Sequence, residues 1–381
     1  MARIVQVANF YGPRSGGIKT TMNRLGEGYS QAGHESVLVV PGQRDSDEMT
    51  SAGRLITLAS PELPKSGGYR VITDVDWLCT VLARTAPDRL EVSDRLTLRS
   101  LGWWARSSGV PSAMWAHERV DGVLSAWTGR TLGSPRIADA WNRATVRRFD
   151  RVIATTNFAR EEIDRIGWTK VSTVPLGVDL DQFHPHRWNA DVRMTHCREG
   201  VDALVVMCSR LSKEKRPDLA IDAIRRLHSY GFRAKLVVVG SGPMEEQLRR
   251  RAADLPVTWL GFVSDRDALA QLLATADVVI APGPIETFGL AALEALASGT
   301  PVVASNTSAV GEIIGSRGGR VVAPDATSMA AGILEVISTA EPARRAAARS
   351  RAEQFPWHKT VHEMLRIHGL THGSVPTQVV A

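Results

Sequence analysis

The stretch DVVIAPGPIETFGLAALEALASGTPVVAS, residues 277–305, decides the fold. It joins two short apolar runs, 277–283 and 301–305, through a segment with helical spacing over 288–298. Apolar runs of this length that are bounded by Gly and Pro are typical of buried strands. A helix between two such strands predicts a βαβ unit, which requires a parallel sheet covered by helices.

The same alternation of strand and helix extends to both sides of this stretch. Six strands alternating with helices make a complete doubly wound domain. The further strands predicted in the second half of the chain are 204–209, 235–240, 258–262 and 320–324, and the further helices are 217–230, 243–253, 265–275 and 327–339.

The first half of the chain opens with the same pattern. An apolar run at 4–10 ends in a glycine-containing loop, a helical pattern follows over 20–33, and a further strand is predicted at 36–42. Residues 175–200 carry prolines and mixed charge and break the alternation, so they predict a linker.

We therefore expect an α/β chain with two doubly wound, Rossmann-like domains, residues 1–180 and 181–355, that face each other across a cleft. In open parallel sheets, ligands bind beyond the carboxyl ends of the strands. The candidate site residues below all follow predicted strands and are expected to line that cleft.

The composition of the 381 residues is that of a globular protein, with 44% hydrophobic and 23% charged residues. Cys79, Cys197 and Cys208 are too few and too scattered for a disulfide framework or a zinc site. The sequence contains neither a signal-peptide pattern nor an apolar run of about 18 residues, so we expect a cytoplasmic protein. The net charge of +6 is spread over both halves, which argues against a nucleic-acid-binding protein.

Two groups of residues are candidates for binding a diphosphate. Gly16 and Gly17 precede a helix, where free backbone amides and the positive end of the helix dipole attract phosphate. Arg210 and Lys215 follow the strand 204–209, and two cations at this spacing can clamp a diphosphate. The alternatives are an ordinary strand-to-helix turn and a solvated charged loop.

Two carboxylates follow the strand 277–283. Glu286 and Glu294 are eight residues apart, or about 12 Å along a helix, which is farther than the roughly 5–9.5 Å between the carboxylates of a glycosidase. The spacing favours contacts with different parts of one long ligand, and the amides of Phe288, Gly289 and Leu290 would point at its phosphates. The alternative for Glu294 is a buried salt bridge.

Three remaining polar motifs have separate interpretations. His117 follows a strand predicted at 111–116 and could contact a sugar or relay a proton, although a lone histidine is more often structural. The Asp-x-Asp pair at 265–267 is typical of an N-cap and first helical turn, so no metal site is expected. In the GSG at 240–242, Glu245 occupies the place of the third glycine of a dinucleotide fingerprint.

Taken together, these motifs resemble the retaining GT-B glycosyltransferases of family 4 over nearly the whole chain. The resemblance rests on PLGVDLDQF, SRLSKEKRPDLAI, VVVGSGPMEEQL and PIETFGLAALEALASGTPVVAS, which occur in the family's order. Within the family, MARIVQVANFYGPRSGG and EVSDRLTLRSLG are most similar to actinobacterial phosphatidylinositol mannoside mannosyltransferases.

The resemblance implies a reaction. Mannose would pass from GDP-mannose to a phosphatidylinositol mannoside glycolipid, dimannoside to trimannoside through an α-1,6 linkage, at the cytoplasmic face of the membrane. The anomeric configuration would be retained through an oxocarbenium-like front-face step, without a metal or another cofactor. A C-terminal helix, 356–370, would pack back onto the first domain.

The resemblance also implies roles for individual residues. Arg210 and Lys215 would hold the donor diphosphate, Glu286 would contact the donor sugar and Glu294 the ribose hydroxyls. Gly16 would approach the phosphates and His117 would border the sugar. Thr287 departs from the family pattern, which usually has glycine at this position.

A lipid acceptor requires contact with a membrane, and two basic patches are candidates for it. Arg136, Arg143 and Arg147 fall on one face of a helix predicted around 135–149, and Trp103 and Trp104 lie between arginines. The alternative for each patch is a solvated basic surface.

Three other functions are weighed against this one. A UDP-sugar-dependent enzyme of the same fold is compatible with the motifs. A nicotinamide dehydrogenase is disfavoured because it would have no use for the paired cations and carboxylates. A nucleic-acid-binding protein is disfavoured because its basic residues would be clustered, whereas here they are spread over both halves. The base of the donor, the linkage and the oligomeric state are not fixed by the residues.

Overall fold

The computed structural model describes residues 1–12, 16–63, 68–122, 134–197 and 200–371. Its strands are β1 Arg3–Val7, β2 Glu35–Gly42, β3 Ser46–Thr50, β4 Gly53–Ala59, β5 Arg89–Val92, β6 Ser112–Ala116, β7 Arg151–Ala154, β8 Val171–Thr173, β9 Ala203–Cys208, β10 Ala234–Val239, β11 Val257–Gly261, β12 Val278–Ala281, β13 Val302–Ser305 and β14 Gly319–Val322.

The helices alternate with these strands. They are α1 Gly17–Gln31, α2 Val75–Thr85, α3 Leu101–Ser107, α4 Ser134–Val146, α5 Asn157–Arg165, α6 Ala190–His196, α7 Pro217–Ser229, α8 Glu245–Arg251, α9 Arg266–Thr275, α10 Leu290–Ala297, α11 Val310–Ile314, α12 Ala326–Ser338, α13 Glu341–Ala352 and α14 Trp357–Ile367.

The strands form two sheets, one in each half of the chain. The first has the order β3-β4-β2-β1-β5-β6-β7-β8, and the second has the order β11-β10-β9-β12-β13-β14. The strand pairs are parallel except β3 and β4. The expectation of two doubly wound α/β domains is confirmed.

Each sheet has a position where the strand order reverses direction. In the first sheet it lies between β1 and β5, and in the second between β9 and β12. The connections that leave the two neighbouring strands there go to opposite faces of the sheet, which opens a crevice at the carboxyl edge. The loops that follow β1, β9 and β12 carry most of the predicted site residues.

Five strands of the first sheet were not predicted, namely β3, β4, β5, β7 and β8, and the bounds of two helices near candidate residues differ from the prediction. β3 was not predicted, because its sequence SDEMT is polar and exposed, and it pairs at the edge of the sheet. The helix predicted over 288–298 begins only at Leu290, because Gly289 adopts a left-handed φ of +91°. The helix predicted around 135–149 ends at Val146, so Arg147 lies beyond it.

The C-terminal helix α14 crosses back and packs on α1. A Cβ built on Gly28 of α1 would lie 2.3 Å from Val361 Cγ2, so a larger residue at position 28 would push the two helices apart. Val178 donates its amide to the Phe355 carbonyl at 2.9 Å, where the chain enters this segment. At the other end of the helix, His368 Nε2 lies 2.8 Å from the buried Glu91 carboxylate.

Among the described residues, no helix combines the length and the apolar character needed to cross a bilayer.

Candidate active site

Lys215 and Glu286 meet where the loops after β9 and β12 face each other. Lys215 ends a 3₁₀ turn, and its ammonium donates to the Glu286 carboxylate. Their side chains are 26% and 28% exposed, so the pair is reachable from the cleft. Burial lowers the pKa of Lys215, but the Glu286 carboxylate outweighs burial, and the pKa lies above its ordinary value. Lys215 therefore carries a full positive charge at neutral pH.

Arg210 reaches across to the first domain. It is exposed, and its guanidinium carbon lies 5.2 Å from the centre of the Tyr69 ring. Tyr69 in turn meets Phe10 edge to face, with ring centroids 6.0 Å apart. Cation–π contacts of this kind hold an arginine without neutralising it. Tyr69 was not predicted as a site residue, because it follows no predicted strand or helix.

The N-termini of two helices converge on the cleft, one from each domain. Gly16 precedes α1 and Gly289 precedes α10, and neither helix has a side-chain cap. A Cβ built on Gly17 would lie 3.6 Å from Leu290 Cδ1, which shows how closely the two helix starts approach. Their first-turn amides and dipoles together favour an anion between them.

Gly289 is required by geometry at this point. Its φ of +91° is strained for any other residue, and a Cβ there would lie 2.8 Å from Val310 Cγ2. Phe288, next to it, is buried in the core, so the turn that starts α10 is fixed from both sides.

Glu294 lies in α10 and pairs with Arg266. Arg266 Nη2 donates to Glu294 Oε1 at 2.7 Å, and its guanidinium also lies over the Phe183 ring at 4.7 Å. Burial raises the pKa of the Glu294 carboxyl above its ordinary value, and Arg266 opposes that rise. The salt-bridge alternative for Glu294 is therefore present in the structure, with Oε1 engaged by Arg266.

A cavity of about 180 Å³ opens beside this pair and is lined from both domains. The first domain contributes residues of α1, and the second contributes Arg266, Leu290 and Glu294. The residues of α1 that line it are Thr20, Asn23, Arg24 and Glu27. Leu290, whose amide is predicted to point at the donor phosphates, and Glu294, which is predicted to contact the ribose, thus line the same cavity.

His117 lies at the end of β6, on the first-domain side of the cleft. Its ring is stacked on Trp115, with centroids 5.3 Å apart and planes 1° from parallel. Burial lowers the pKa of His117 to about 4, with Arg95 adding to the effect, so the ring is neutral at physiological pH. Within the described part of the chain, its buried Nε2 atom has no hydrogen-bond partner.

Glu118 is a further acidic group in the cleft that sequence analysis did not single out. Its side chain reaches solvent, but surrounding protein desolvates the carboxyl and, together with Asp94, raises its pKa. Lys215 lowers that pKa from across the cleft. The sequence contained an indication of this role, because Glu118 is next to His117 and follows a predicted strand.

Thr287 joins the two domains beside the Lys215–Glu286 pair. Its hydroxyl donates to the His117 carbonyl, and its own carbonyl accepts from the hydroxyls of Thr155 and Thr156 at 3.1 and 2.8 Å. A glycine at this position would lack the hydroxyl. The departure from the family pattern thus adds a bond between the domains.

The Asp-x-Asp spacing at 265–267 also occurs at 45–47, 74–76 and 179–181, and members of these pairs have structural partners. Asp265 caps α9 by accepting from the amides of Asp267 and Ala268, which confirms the N-cap interpretation. Asp179 pairs with Arg24 at 2.5 Å and Asp47 with Arg54 at 2.6 Å.

The candidate membrane residues lie on the first domain, and the structure connects the two patches. Trp103 is 56% exposed and has the guanidinium groups of Arg106 and Arg148 near its ring. Arg106 also donates to the Arg147 carbonyl at 2.6 Å. We call Trp103, Arg106, Arg147 and Arg148 the basic–aromatic surface.

The other candidates are divided between surface and core. Arg136 and Arg143 are exposed on α4, next to Ile137, which is 61% exposed. Trp104 instead packs, partly buried, on the core of the first domain. Trp104 therefore supports α3 rather than adding to the exposed apolar area.

Two family models match the two halves of the chain. The glycosyl transferase 4-like domain matches residues 16–177, and glycosyl transferases group 1 matches residues 197–353.

Curated relatives match over most of the length. The chain is 48% identical over 368 residues to a GDP-mannose-dependent alpha-(1-6)-phosphatidylinositol dimannoside mannosyltransferase of Mycobacterium tuberculosis, covering 96% of each protein. It is 34% identical over 284 residues to a D-inositol 3-phosphate glycosyltransferase of Geodermatophilus obscurus, covering 70% of this chain and 62% of the relative.

Solved structures share the architecture at low identity. A sucrose-phosphate synthase from Thermosynechococcus elongatus superposes with a TM-score of 0.79 at 20% identity, covering 97% of this chain and 98% of the other. WaaG, a glycosyltransferase involved in lipopolysaccharide biosynthesis, superposes with a TM-score of 0.71 at 17% identity, covering 97% and 100%.

Proposed function

This chain belongs to family 4 of the GT-B glycosyltransferases, and we propose that it transfers mannose from GDP-mannose to a phosphatidylinositol mannoside, dimannoside to trimannoside, through an α-1,6 linkage. The relative that is 48% identical over 96% of the chain carries this substrate assignment in its name. The observation that carries the chemistry is the Lys215–Glu286 pair. Glu286 lies beside the Gly289 turn that starts α10, and its neighbour Thr287 donates to the His117 carbonyl.

The donor diphosphate lies between the N-termini of α1 and α10. Arg210 and Lys215 supply fixed positive charge, and the first-turn amides supply hydrogen-bond donors. Breaking the bond between the sugar C1 and the phosphate oxygen builds negative charge on the departing GDP. Preorganised cations and amides stabilise that charge most strongly in a cleft from which water is excluded.

The two carboxylates bind the sugar and the ribose of the donor. Glu286 orients the mannose, and Glu294 accepts hydroxyl hydrogens of the ribose through its Oε2 atom, since Oε1 is held by Arg266. Glu286 lies in the loop before α10 and Glu294 lies within the helix, so the two carboxylates can contact different parts of one nucleotide sugar.

The acceptor approaches from the first domain, beside His117. A bond forms between the acceptor hydroxyl oxygen and C1 on the face from which GDP departs, and the hydroxyl proton passes to the leaving phosphate. The configuration at C1 is thereby retained. A neutral His117, with its Nε2 unpartnered among the described residues, can hydrogen-bond a sugar hydroxyl without adding charge.

Two further features complete the proposal. The protein's own cations hold the diphosphate, so the transfer needs no divalent metal. The basic–aromatic surface, with Arg136 and Arg143 on α4, holds the first domain against the anionic cytoplasmic face of the membrane, where the lipid acceptor lies.

The test is an incubation of the purified protein with GDP-mannose, UDP-glucose and other nucleotide sugars, with and without an actinobacterial lipid extract. We expect GDP release from GDP-mannose only when lipid is present, a glycolipid product heavier by one hexose, and the same rate with EDTA. Release of UDP instead would assign another donor. No turnover with any donor would overturn the proposed function.

A further inference from the structure

Glu312 makes a contact between the domains that the transfer chemistry above does not use. It lies in α11 of the second domain, partly buried. Its carboxylate accepts the backbone amide of Asn157 at 2.9 Å and that of Phe158 at 2.7 Å. Both amides belong to the first domain.

These two amides are the first two of helix α5. The first amides of a helix have no partner within it, and a carboxylate placed there also gains from the helix dipole. The third amide, that of Ala159, is satisfied by the Thr156 hydroxyl at 3.1 Å. The N-terminus of a first-domain helix is therefore capped mainly by a side chain of the second domain.

The cap is linked to the reacting groups on both sides of the cleft. On the second domain, the amide of Ala309, which starts the turn carrying Glu312, donates to the Glu286 carbonyl at 2.8 Å. On the first domain, Thr156 next to the capped amides donates to the Thr287 carbonyl, and Thr287 donates to the His117 carbonyl.

Arg351 fixes Glu312 from behind. Its Nη2 donates to the Glu312 carbonyl at 2.6 Å and its Nε to the Ile313 carbonyl at 2.7 Å. The helix that presents the carboxylate is thus anchored within the second domain. A movement of that domain must carry the cap with it.

We propose that Glu312 is a positioning residue: by capping α5 across the cleft, it holds the domains at the separation at which His117 and the Lys215–Glu286 pair act on one sugar. The cap exists only while the domains are closed, because opening returns the two amides to water. Its role in turnover rests on the proposed function, whereas its effect on domain separation does not.

The experiment compares Glu312→Ala with the matched control Glu335→Ala, whose carboxylate is 62% exposed and pairs only with Arg320 among the contacts the structure describes. Three quantities are measured: kcat with GDP-mannose and lipid extract, the dissociation constant of GDP by calorimetry, and the radius of gyration by small-angle X-ray scattering. Melting temperatures show that both variants fold.

For Glu312→Ala we expect kcat to fall roughly 10- to 100-fold, because small displacements of reacting groups have effects of that order. The GDP dissociation constant should change less than kcat does, since Arg210, Lys215 and Glu294 lie in the second domain and only the amides at the start of α1 come from the first, and the radius of gyration should increase. Glu312→Gln, which keeps one acceptor oxygen, should lie between wild type and Glu312→Ala. The control should match wild type in all three measurements.

Unchanged kcat and scattering in Glu312→Ala would overturn the inference. So would a loss of kcat with scattering like that of wild type, since the residue would then act other than through domain separation. If the wild-type protein itself turns over no donor, the proposed function fails, and the scattering comparison still decides whether Glu312 holds the domains together.

Discussion

The rings of Trp115 and His117 lie parallel, 1° apart, with their centroids separated by 5.3 Å. The Trp115 indole is itself fixed, because its Nε1 donates to the buried Glu91 carboxylate at 3.0 Å. The stack fixes the plane of the imidazole and removes water from one of its faces. A histidine in this setting acts as a neutral hydrogen-bonding group.

This arrangement predicts how stability depends on pH. Burial lowers the pKa of His117 to about 4, against about 6.5 for an unfolded histidine. Between these pH values the unfolded chain binds more protons than the folded protein does. The free energy of unfolding therefore increases as the pH rises through this window and decreases as the pH falls through it. The slope from one group is at most about 1.4 kcal/mol per pH unit.

Replacing His117 with Phe keeps a stacked ring and removes the titration. We expect the free energy of unfolding of His117→Phe to vary less between pH 4.5 and 7 than that of the wild type. Guanidinium denaturation at a series of pH values measures the difference. Equal pH dependence in the two proteins would show that His117 does not titrate abnormally.

The Lys215–Glu286 pair should be needed for transfer and not for folding. Each side chain is about a quarter exposed, so truncation leaves no buried partner. We expect Lys215→Ala and Glu286→Gln each to lower kcat roughly 10²–10³-fold, the range for removing one charge-stabilising group. Lys213→Ala, two residues from Lys215 and exposed, is the control and should transfer normally.

Near-normal turnover in either variant of the pair would remove that residue from the chemistry. A large drop in melting temperature with Glu286→Gln would instead show that the pair holds the loops after β9 and β12 together. Circular dichroism melts run beside the assay separate these results.

Arg266 is expected to control how Glu294 meets the nucleotide. Removing its guanidinium leaves the buried Glu294 carboxyl without its cation, and burial then raises the pKa of that carboxyl further. We predict that Arg266→Met weakens GDP binding about tenfold, as for losing one charge-assisted hydrogen bond. Calorimetry with GDP is the measurement, and Arg250→Met, at an exposed ion pair, is the control. Tighter GDP binding by Arg266→Met would mean that Arg266 competes with the ribose.

The exposed arginines of the first domain are predicted to bind anionic lipid. Neutralising Arg136, Arg143 and Arg147 together removes about 3 kcal/mol of attraction at about 1 kcal/mol each. Co-sedimentation with phosphatidylserine-containing vesicles should then weaken about 100-fold. The matched control neutralises the three consecutive arginines Arg249–Arg251 on the second domain. If only the control variant lost binding, the membrane would contact the other domain.

The sequence predicted the fold class because the second sheet and the start of the first are built from apolar runs that alternate with helices, although only β1, β2 and β6 of the first sheet were predicted. It also predicted that Lys215, Glu286 and His117 each follow a strand, and in the structure they follow β9, β12 and β6. It could not predict pairings that depend on how the domains meet. Tyr69 and Arg210 form such a pairing, because they belong to different domains. For Glu294 the sequence indicated a salt bridge but not its partner, Arg266, which lies on another helix of the same domain.

The edge strand β3 and the cap by Glu312 were missed for a related reason. β3 is polar and exposed, so no apolar periodicity marks it. Glu312 lies in a short helix whose sequence shows no partner, because its partner is a helix start in the other domain. Helix-capping rules apply to neighbouring residues and do not extend to a carboxylate 155 residues away.

The crossing of α14 has a consequence for the order in which the protein is made. The buried Glu91 carboxylate accepts from the Tyr29 hydroxyl at 2.6 Å and lies 2.8 Å from His368 Nε2, 277 residues later. A ribosome releases α14 only after the second domain has been synthesised. The surface of the first domain around Gly28 therefore stays uncovered until α14 has been synthesised and packs on it. The half that is translated first is completed last, and a gene fragment ending at the linker would encode an unfinished domain.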